Sequence, residues 1–184
     1  IEEPTEWQDD MWTLHADAKL GKELLENTLN RYLKELNCNN IVVALSDKTN
    51  FRKKLFPEYK SHRKKVRKPI IVKPLKEYIY KQYPTYRLPD LEGDDTLGIL
   101  ATSKYKDNCI ILSSDKDMRT IPCFHHFIHD NQTELVDEKT ADYYFMFQTL
   151  TGDSSDGYSG IKGCGAIKAE RVLYNSEKTL PSMW

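Results

Sequence analysis

Eight carboxylates in this 184-residue sequence fall where four segments change character. Asp47 comes two residues after the apolar run Ile41–Leu45. Glu92, Asp94 and Asp95 open an apolar-periodic stretch, LEGDDTLGIL. Asp115 and Asp117 directly follow CIILSS, and Asp153 and Asp156 lie in the Gly-rich TGDSSDG. Ligand sites of open parallel sheets form outside the carboxyl ends of the strands, where Asp47, Asp115 and Asp117 are expected. Residues two apart in an extended segment point the same way, so Asp115 and Asp117 can face one cleft. Glu92 and Asp95, three apart on a helix, share a face. Carboxylates gathered this densely repel one another unless cations neutralise them. A donor set without His or Cys favours Mg²⁺ or Mn²⁺ over zinc. It suits a pair of ions roughly 4 Å apart, the arrangement used for in-line attack on phosphodiesters. Taken singly, each residue has a plainer role: a helix cap for Asp94 or Asp95, a turn for Asp47, Asp153 or Asp156. Only the joint pattern favours metal chemistry.

The charge distribution supports it. The formal net charge is −1, yet residues 51–74, FRKKLFPEYKSHRKKVRKPIIVKP, hold ten Lys/Arg and one acid. The rest of the chain is correspondingly acidic. A basic block interleaved with Phe51, Phe56 and Tyr59 suits nucleic-acid phosphates, through Arg52, Lys53, Lys54, Lys64 and Lys65 among others. An acidic body meets phosphate only across a bridge, and divalent cations are the obvious one.

The surrounding elements must position these groups. Residues 10–36 read as one amphipathic helix, with Leu20, Leu24, Leu25, Leu29, Tyr32, Leu33 and Leu36 on a stripe. Buried strands are expected over Ile41–Leu45 and Cys109–Leu112. Helices are expected over Pro74–Tyr83, Asp94–Tyr105, Thr140–Leu150 and Ala166–Tyr174. A small hairpin turns about Asp130-Asn131-Gln132. Strands alternating with helices predict an α/β fold around a parallel sheet. Apolar residues make up 39% of the chain, but no run nears the ~20 residues that cross a bilayer, so no membrane association is expected. The opening residues carry no signal peptide, and cysteines 38, 109, 123 and 164 form no CxxC pair. Both features fit a reducing, cytoplasmic setting. His125, His126 and His129 read as strand residues rather than metal ligands, and YYFMF (143–147) as core.

Glycines 160, 163 and 165 precede the last helix. They allow close approach to a ligand, and the helix's first amides can face a phosphate, with Lys162 and Lys168 adding charge.

Together these stretches resemble the 5′ nucleases of the flap endonuclease family, most closely the bacteriophage 5′→3′ exonucleases. The matching segments are 46–65, 91–102, 111–122 and 150–173, in the family's order. The resemblance implies a PIN-like 5′ nuclease fold: a central, largely parallel sheet flanked by helices, a basic helical arch and a C-terminal helix–hairpin–helix-like element. Residues 1–150 would form the core, with the arch at 51–74, and 151–184 the DNA-binding element. It implies metal ligands at Asp47, Glu92, Asp94, Asp95, Asp115, Asp117, Asp153 and Asp156 for two Mg²⁺ or Mn²⁺ ions. Asp115 and Asp117 stand at the catalytic centre. Lys60 corresponds to the family's active-site lysine, Arg63 to a second phosphate clamp, and Tyr59 to a base-stacking residue. Gly160, Lys162, Gly163, Gly165 and Lys168 would grip duplex, with a K⁺ ion at the turn.

The implied activity is 5′→3′ exonuclease with flap cleavage, by a monomer acting on DNA with a free 5′ end or 5′ flap. The setting would be the host cytoplasm if the protein is phage-encoded. Other readings are a non-cleaving branched-DNA-binding module and an RNase H-like nuclease removing primers from RNA/DNA hybrids. The family's first strand carries a metal-binding aspartate in an apolar run. Ile1–Trp12 is acidic and aromatic and does not match it, so that strand is expected outside the 184 residues, and the family pattern to continue past Trp184.

Overall fold

The structure, a computed structural model, describes residues 2–6, 12–61 and 67–174. In chain order the elements are β1 (Glu2–Glu6), β2 (Trp12–Ala16), α1 (Ala18–Glu35), β3 (Val43–Ala44), α2 (Phe51–Leu55), α3 (Val72–Gln82), β4 (Thr85–Tyr86), α4 (Gly93–Thr102), β5 (Ile110–Ser113), a 3₁₀ turn (Lys116–Thr120), β6 (Cys123–Phe127), β7 (Gln132–Val136), α5 (Glu138–Thr151) and α6 (Ala166–Tyr174). They form two compact units: Ile1–Leu45 with Lys65–Arg87, and Ser46–Lys64 with Leu88–Trp184.

In the first unit β1 and β2 pair antiparallel and β3 pairs parallel with β4. The helix expected over 10–36 begins only at Ala18. Asp17 accepts the amides of Lys19 and Leu20 at 2.8 and 3.0 Å, an N-cap that fixes where the helix starts. Trp12–Ala16 is a strand instead. Two strands therefore precede α1 where none was expected, and neither carries an aspartate. Of the predicted stripe, Tyr32 is buried and Leu25, Leu29, Leu33 and Leu36 are half-buried, while Leu20 and Leu24 at its start are exposed and Gly21 is buried instead. At Gly21 an added Cβ would lie 3.1 Å from the Ile71 side chain, so the glycine lets α1 and the start of α3 approach closely.

The second unit carries the site. β5 runs parallel to β6, which pairs antiparallel with β7 in the expected hairpin. Ala101, Ile111, Met118, Ile121 and Phe127 make its core, with Leu97, Cys109 and Cys123 against it. His125 and His126 are buried in β6. His125 Nε2 lies 2.7 Å from the Ile121 carbonyl oxygen, and His126 Nδ1 2.9 Å from Thr133 Oγ1. α5 starts at Glu138, earlier than the sequence suggests, because Asp137 accepts the Thr140 amide at 2.7 Å. Met146 and Leu173 seal α5 on α6. Fully buried apolar side chains of this size contribute roughly 1.5–3 kcal/mol each. Phe145, expected in the core, is 47% exposed instead.

Between α5 and α6 the chain doubles back on two glycines. Gly152 (φ 80°) and Gly160 (φ 64°) pack backbone against backbone. A Cβ on Gly152 would stand 2.5 Å from the Gly160 nitrogen, and one on Gly160 2.4 Å from the Gly152 nitrogen. The Asp153 amide donates to Tyr158 O at 2.7 Å and the Tyr158 amide to Asp153 O at 2.8 Å, closing the loop that bears Asp153 and Asp156. Gly163 and Gly165, by contrast, have nothing within 4 Å of a Cβ position. Gly152→Ala should lower stability by about 3 kcal/mol, since it adds a backbone clash to a left-handed φ. A urea midpoint equal to the wild type's would show that the loop is not closed this way.

Candidate active site: a carboxylate cleft

Three kinds of chain ending deliver the carboxylates. β5 stops at Ser113, whose hydroxyl accepts the Asp115 amide at 3.0 Å, while Asp115 Oδ1 accepts the Asp117 amide at 2.9 Å. The segment is therefore a 3₁₀ turn rather than the extended pair expected, yet both side chains reach the cleft. α4 starts immediately after Glu92, and Asp95 accepts the Glu92 amide at 2.9 Å. The glycine-closed loop supplies Asp153 and Asp156. All lie in the second unit and line one cleft of about 1040 Å³, so seven of the eight predicted carboxylates meet: Glu92, Asp94, Asp95, Asp115, Asp117, Asp153 and Asp156. Asp47 does not line it. Its Oδ2 accepts the Asp90 amide and the Thr49 hydroxyl, each at 3.0 Å, and so organises the turn before α2.

The acids fall into two electrostatic sets. The first is neutralised from the segment 52–60. The Arg52 guanidinium holds Asp95 bidentately at 2.7 and 2.6 Å. The Tyr59 hydroxyl lies 2.6 Å from Glu92 Oε2 and 2.9 Å from Asp156 Oδ2. Lys60 Nζ sits 3.1 and 3.2 Å from the Glu92 oxygens and 3.4 Å from Asp156 Oδ1. Burial pushes Glu92 and Asp95 up, but these hydrogen bonds hold both below the usual carboxylate range. Burial, then Glu92 and Asp156, push the Tyr59 phenol well up. Lys60 adopts φ 51°, which costs roughly 1–2 kcal/mol outside glycine. Its amide donates to Asp156 O at 3.1 Å.

The second set feels Lys60 and Lys116 only weakly, through their charges. Burial, then Asp115 and Glu92, raise Asp94. Burial, then Asp115 and Asp153, raise Asp117 to about 6. Asp153 is held low, against its own burial, by Ser155 and by a hydrogen bond shared with Asp117. The Gln148 amide also donates to Asp117. Among the described residues no three His, Cys, Asp or Glu side chains stand ready to hold one ion as placed. Apolar side chains also line the cleft, among them Phe51, Phe56, Ile99, Phe145 and Tyr158.

Other expected site residues divide. Tyr59, expected to stack on a base, is 7% exposed with its hydroxyl on two carboxylates, so its ring offers no platform. Lys53 is exposed and Lys54 pairs with Asp90 at 2.8 Å. Arg63, Lys64 and Lys65 lie outside the described residues. Lys162, Gly163, Gly165 and Lys168 are exposed around the α6 N-terminus, whereas Gly160 is spent on the contact with Gly152. Sequence reasoning missed Gln148; its one signal is a polar break in the aromatic run YYFMFQTL. It also missed Arg119, whose Nε donates to Glu134 at 2.6 Å and whose guanidinium sits 4.3 Å from the Phe127 ring, tying the 3₁₀ turn to the sheet.

The raised Asp117 makes a signed prediction. The folded chain binds a proton there up to about pH 6, while the unfolded chain releases it near the ordinary 3.8. This group's contribution to stability therefore falls as pH rises through that window. Asp117→Asn should raise the melting temperature at pH 7 in EDTA, and the gain should vanish by pH 4. Equal melting temperatures at pH 7 would show that Asp117 carries no such penalty.

The profile of the 5′-3′ exonuclease N-terminal, resolvase-like domain matches residues 23–145. The exonuclease of Escherichia phage T7 is 35% identical over 185 residues, covering 95% of this chain and 61% of that protein. The exodeoxyribonuclease of Enterobacteria phage T3 is 34% identical, covering 86% and 56%. The chain thus spans about three fifths of the length of these phage relatives. The flap endonuclease Xni of a Shewanella strain is 26% identical, covering 85% and 65%. In fold, the chain matches the bacteriophage T5 flap endonuclease, solved with DNA and metal ions, at a TM-score of 0.70 and 17% identity, over 85% of this chain and 67% of that one. On the matched profile, the phage relatives and the shared fold, the chain belongs to the 5′-3′ exonuclease family.

Proposed function

We propose that this chain is the catalytic part of a metal-dependent 5′→3′ exonuclease with flap endonuclease activity, acting as a monomer on DNA with a free 5′ end. The observation that carries the reading is the cleft itself: seven carboxylates from three chain segments, faced by cations from the only strongly basic segment of the sequence. The donor set fits hard divalent ions. All seven are oxygen ligands, and the raised Asp94 and Asp117 mark buried negative charge that a cation would relieve. Asp94, Asp115, Asp117 and Asp153 would hold Mg²⁺ or Mn²⁺, with Glu92, Asp95 and Asp156 completing two sites and Asp47 acting through the turn it organises. Two such ions, when bound, supply an activated water and stabilise the leaving oxygen.

The chain's own residues do the rest. Lys60 binds the scissile phosphate and stabilises its charge as cleavage proceeds. Arg63 is a second clamp, and Arg52, Lys53, Lys54, Lys64 and Lys65 belong to an arch over 51–74 that receives the 5′ strand. Gln148 orients Asp117. Residues 1–150 act as nuclease core, and 151–184 as a helix–hairpin–helix-like grip on duplex. There Gly163, Gly165, Lys162 and Lys168 meet the backbone, with K⁺ at the turn. The cytoplasm, the host's if the protein is phage-encoded, is the place of action. The removal of RNA primers from RNA/DNA hybrids falls to the same site if hybrids are cut.

A 5′-labelled flap, a blunt duplex and an RNA/DNA hybrid, each with Mg²⁺ or EDTA, test the reading on this chain and on the full-length protein. Short 5′ products that appear only with Mg²⁺ are expected; binding of branched DNA without cleavage by either protein would overturn it. Lys60→Ala should lower kcat about 100-fold or more while changing the Kd for DNA less than threefold. Asp115→Asn should abolish cleavage and leave DNA binding intact; normal cleavage by that variant would remove Asp115 from the site.

A further inference from the structure

Three carboxylates of the cleft are fully engaged by one short stretch of chain. Glu92 Oε1 faces Lys60 Nζ at 3.1 Å. Glu92 Oε2 takes the Tyr59 hydroxyl at 2.6 Å and Lys60 Nζ at 3.2 Å. Asp156 Oδ1 lies 3.4 Å from Lys60 Nζ, and Asp156 Oδ2 2.9 Å from the Tyr59 hydroxyl. Both Asp95 oxygens belong to Arg52. Every oxygen of these three side chains therefore has a partner among residues 52, 59 and 60. Asp94, by contrast, is reached by Lys60 only through its charge.

We propose that Lys60 and a divalent ion compete for Glu92 and Asp156, so that ion binding releases Lys60 from this post and presents its ammonium to the incoming phosphate. The inference rests on the metal-dependent reading above and adds to it a switch within segment 52–60. A hard ion needs carboxylate oxygens at about 2.0–2.6 Å with their lone pairs directed at it. Each carboxylate offers about four lone-pair sites; Lys60 and Tyr59 take three contacts on Glu92 and two on Asp156, and the ammonium adds like charge beside an ion, so ion and Lys60 compete for both side chains. Tyr59 is the positioning residue: its buried hydroxyl bridges the same two carboxylates and fixes Lys60 beside them. Lys60 is also poised to leave, since its left-handed backbone is retained by the amide contact with Asp156 O. Coupling of this kind is reciprocal. A phosphate that draws Lys60 off the carboxylates must tighten ion binding by the factor with which the ion frees Lys60.

The test needs no substrate. Mn²⁺ titration followed by calorimetry should give about tenfold tighter binding for Lys60→Met than for the wild type, and a smaller gain for Tyr59→Phe. In the wild type, acetylation of Lys60 by an N-hydroxysuccinimide ester, read by mass spectrometry, should rise several-fold on saturation with Mg²⁺, while that of Lys139 stays constant. The Lys60 side chain is 17% exposed, so release has room to register. Unchanged or weaker Mn²⁺ binding by a folded Lys60→Met, or Lys60 labelling indifferent to Mg²⁺, overturns the competition and leaves the nuclease reading standing. Should Lys60→Met not fold, the wild-type labelling decides alone. If neither protein binds Mn²⁺ at millimolar concentration, the metal-dependent reading falls, and this inference with it.

Discussion

Mutual repulsion among the carboxylates of one cleft is the constraint around which the second unit is arranged. Seven acids gathered in partly buried surroundings cost stability unless something offsets their charge. The chain offsets three of them internally, through Arg52, Tyr59 and Lys60. It leaves Asp94 and Asp117 to carry the burden as raised proton affinity. A fold that accepts such a cost at one place has a use for the charge. The apolar core under β5 and β6 and the α5–α6 contact provide the stability that it draws on.

Each acid is delivered by a place where regular structure stops. Backbone groups left unpaired at such endings bind the carboxylates and aim them. Asp115 caps the 3₁₀ turn, Asp95 accepts the Glu92 amide at the head of α4, and Asp153 accepts the Ser155 amide at 2.7 Å in the closed loop. Capping and chemistry are thus not competing roles here. One oxygen of a carboxylate can hold the backbone while the other faces the cleft, so a residue with an ordinary structural explanation is not thereby excluded from the site.

What the sequence made legible follows from the same point. Strand ends, helix starts and Gly-rich turns leave local signatures, so the acids at 92–95, 115–117 and 153–156 could be assigned to one site before any geometry was known. The α/β character, the hairpin and α6 were legible for the same reason. Pairings across long stretches of chain were not. Nothing near Tyr59 announces that its hydroxyl will meet Glu92 and Asp156, 33 and 97 residues away. Its position in a basic, aromatic segment suggested stacking on a base instead. The start of α1 was misplaced because Asp17, the cap three residues before the first stripe residue Leu20, was read as helix interior. Asp47 was grouped with the other acids by its place after a strand, but its Oδ2 is bound to the neighbouring turn.

The glycines around the last helix separate by the reason each lacks a side chain. Positions 152 and 160 are closed to every other residue by the chain itself, since any Cβ there would run into backbone. Position 163 needs glycine for its φ of 74° alone. Position 165 has neither constraint: its φ is not left-handed and the space around it is open. The folded chain has room for a Cβ at 165, but the residue caps α6, its carbonyl accepting the Lys168 and Ala169 amides at 3.0 Å, and that position favours glycine over alanine. The open space beside it leaves the main chain at 165 within reach from outside.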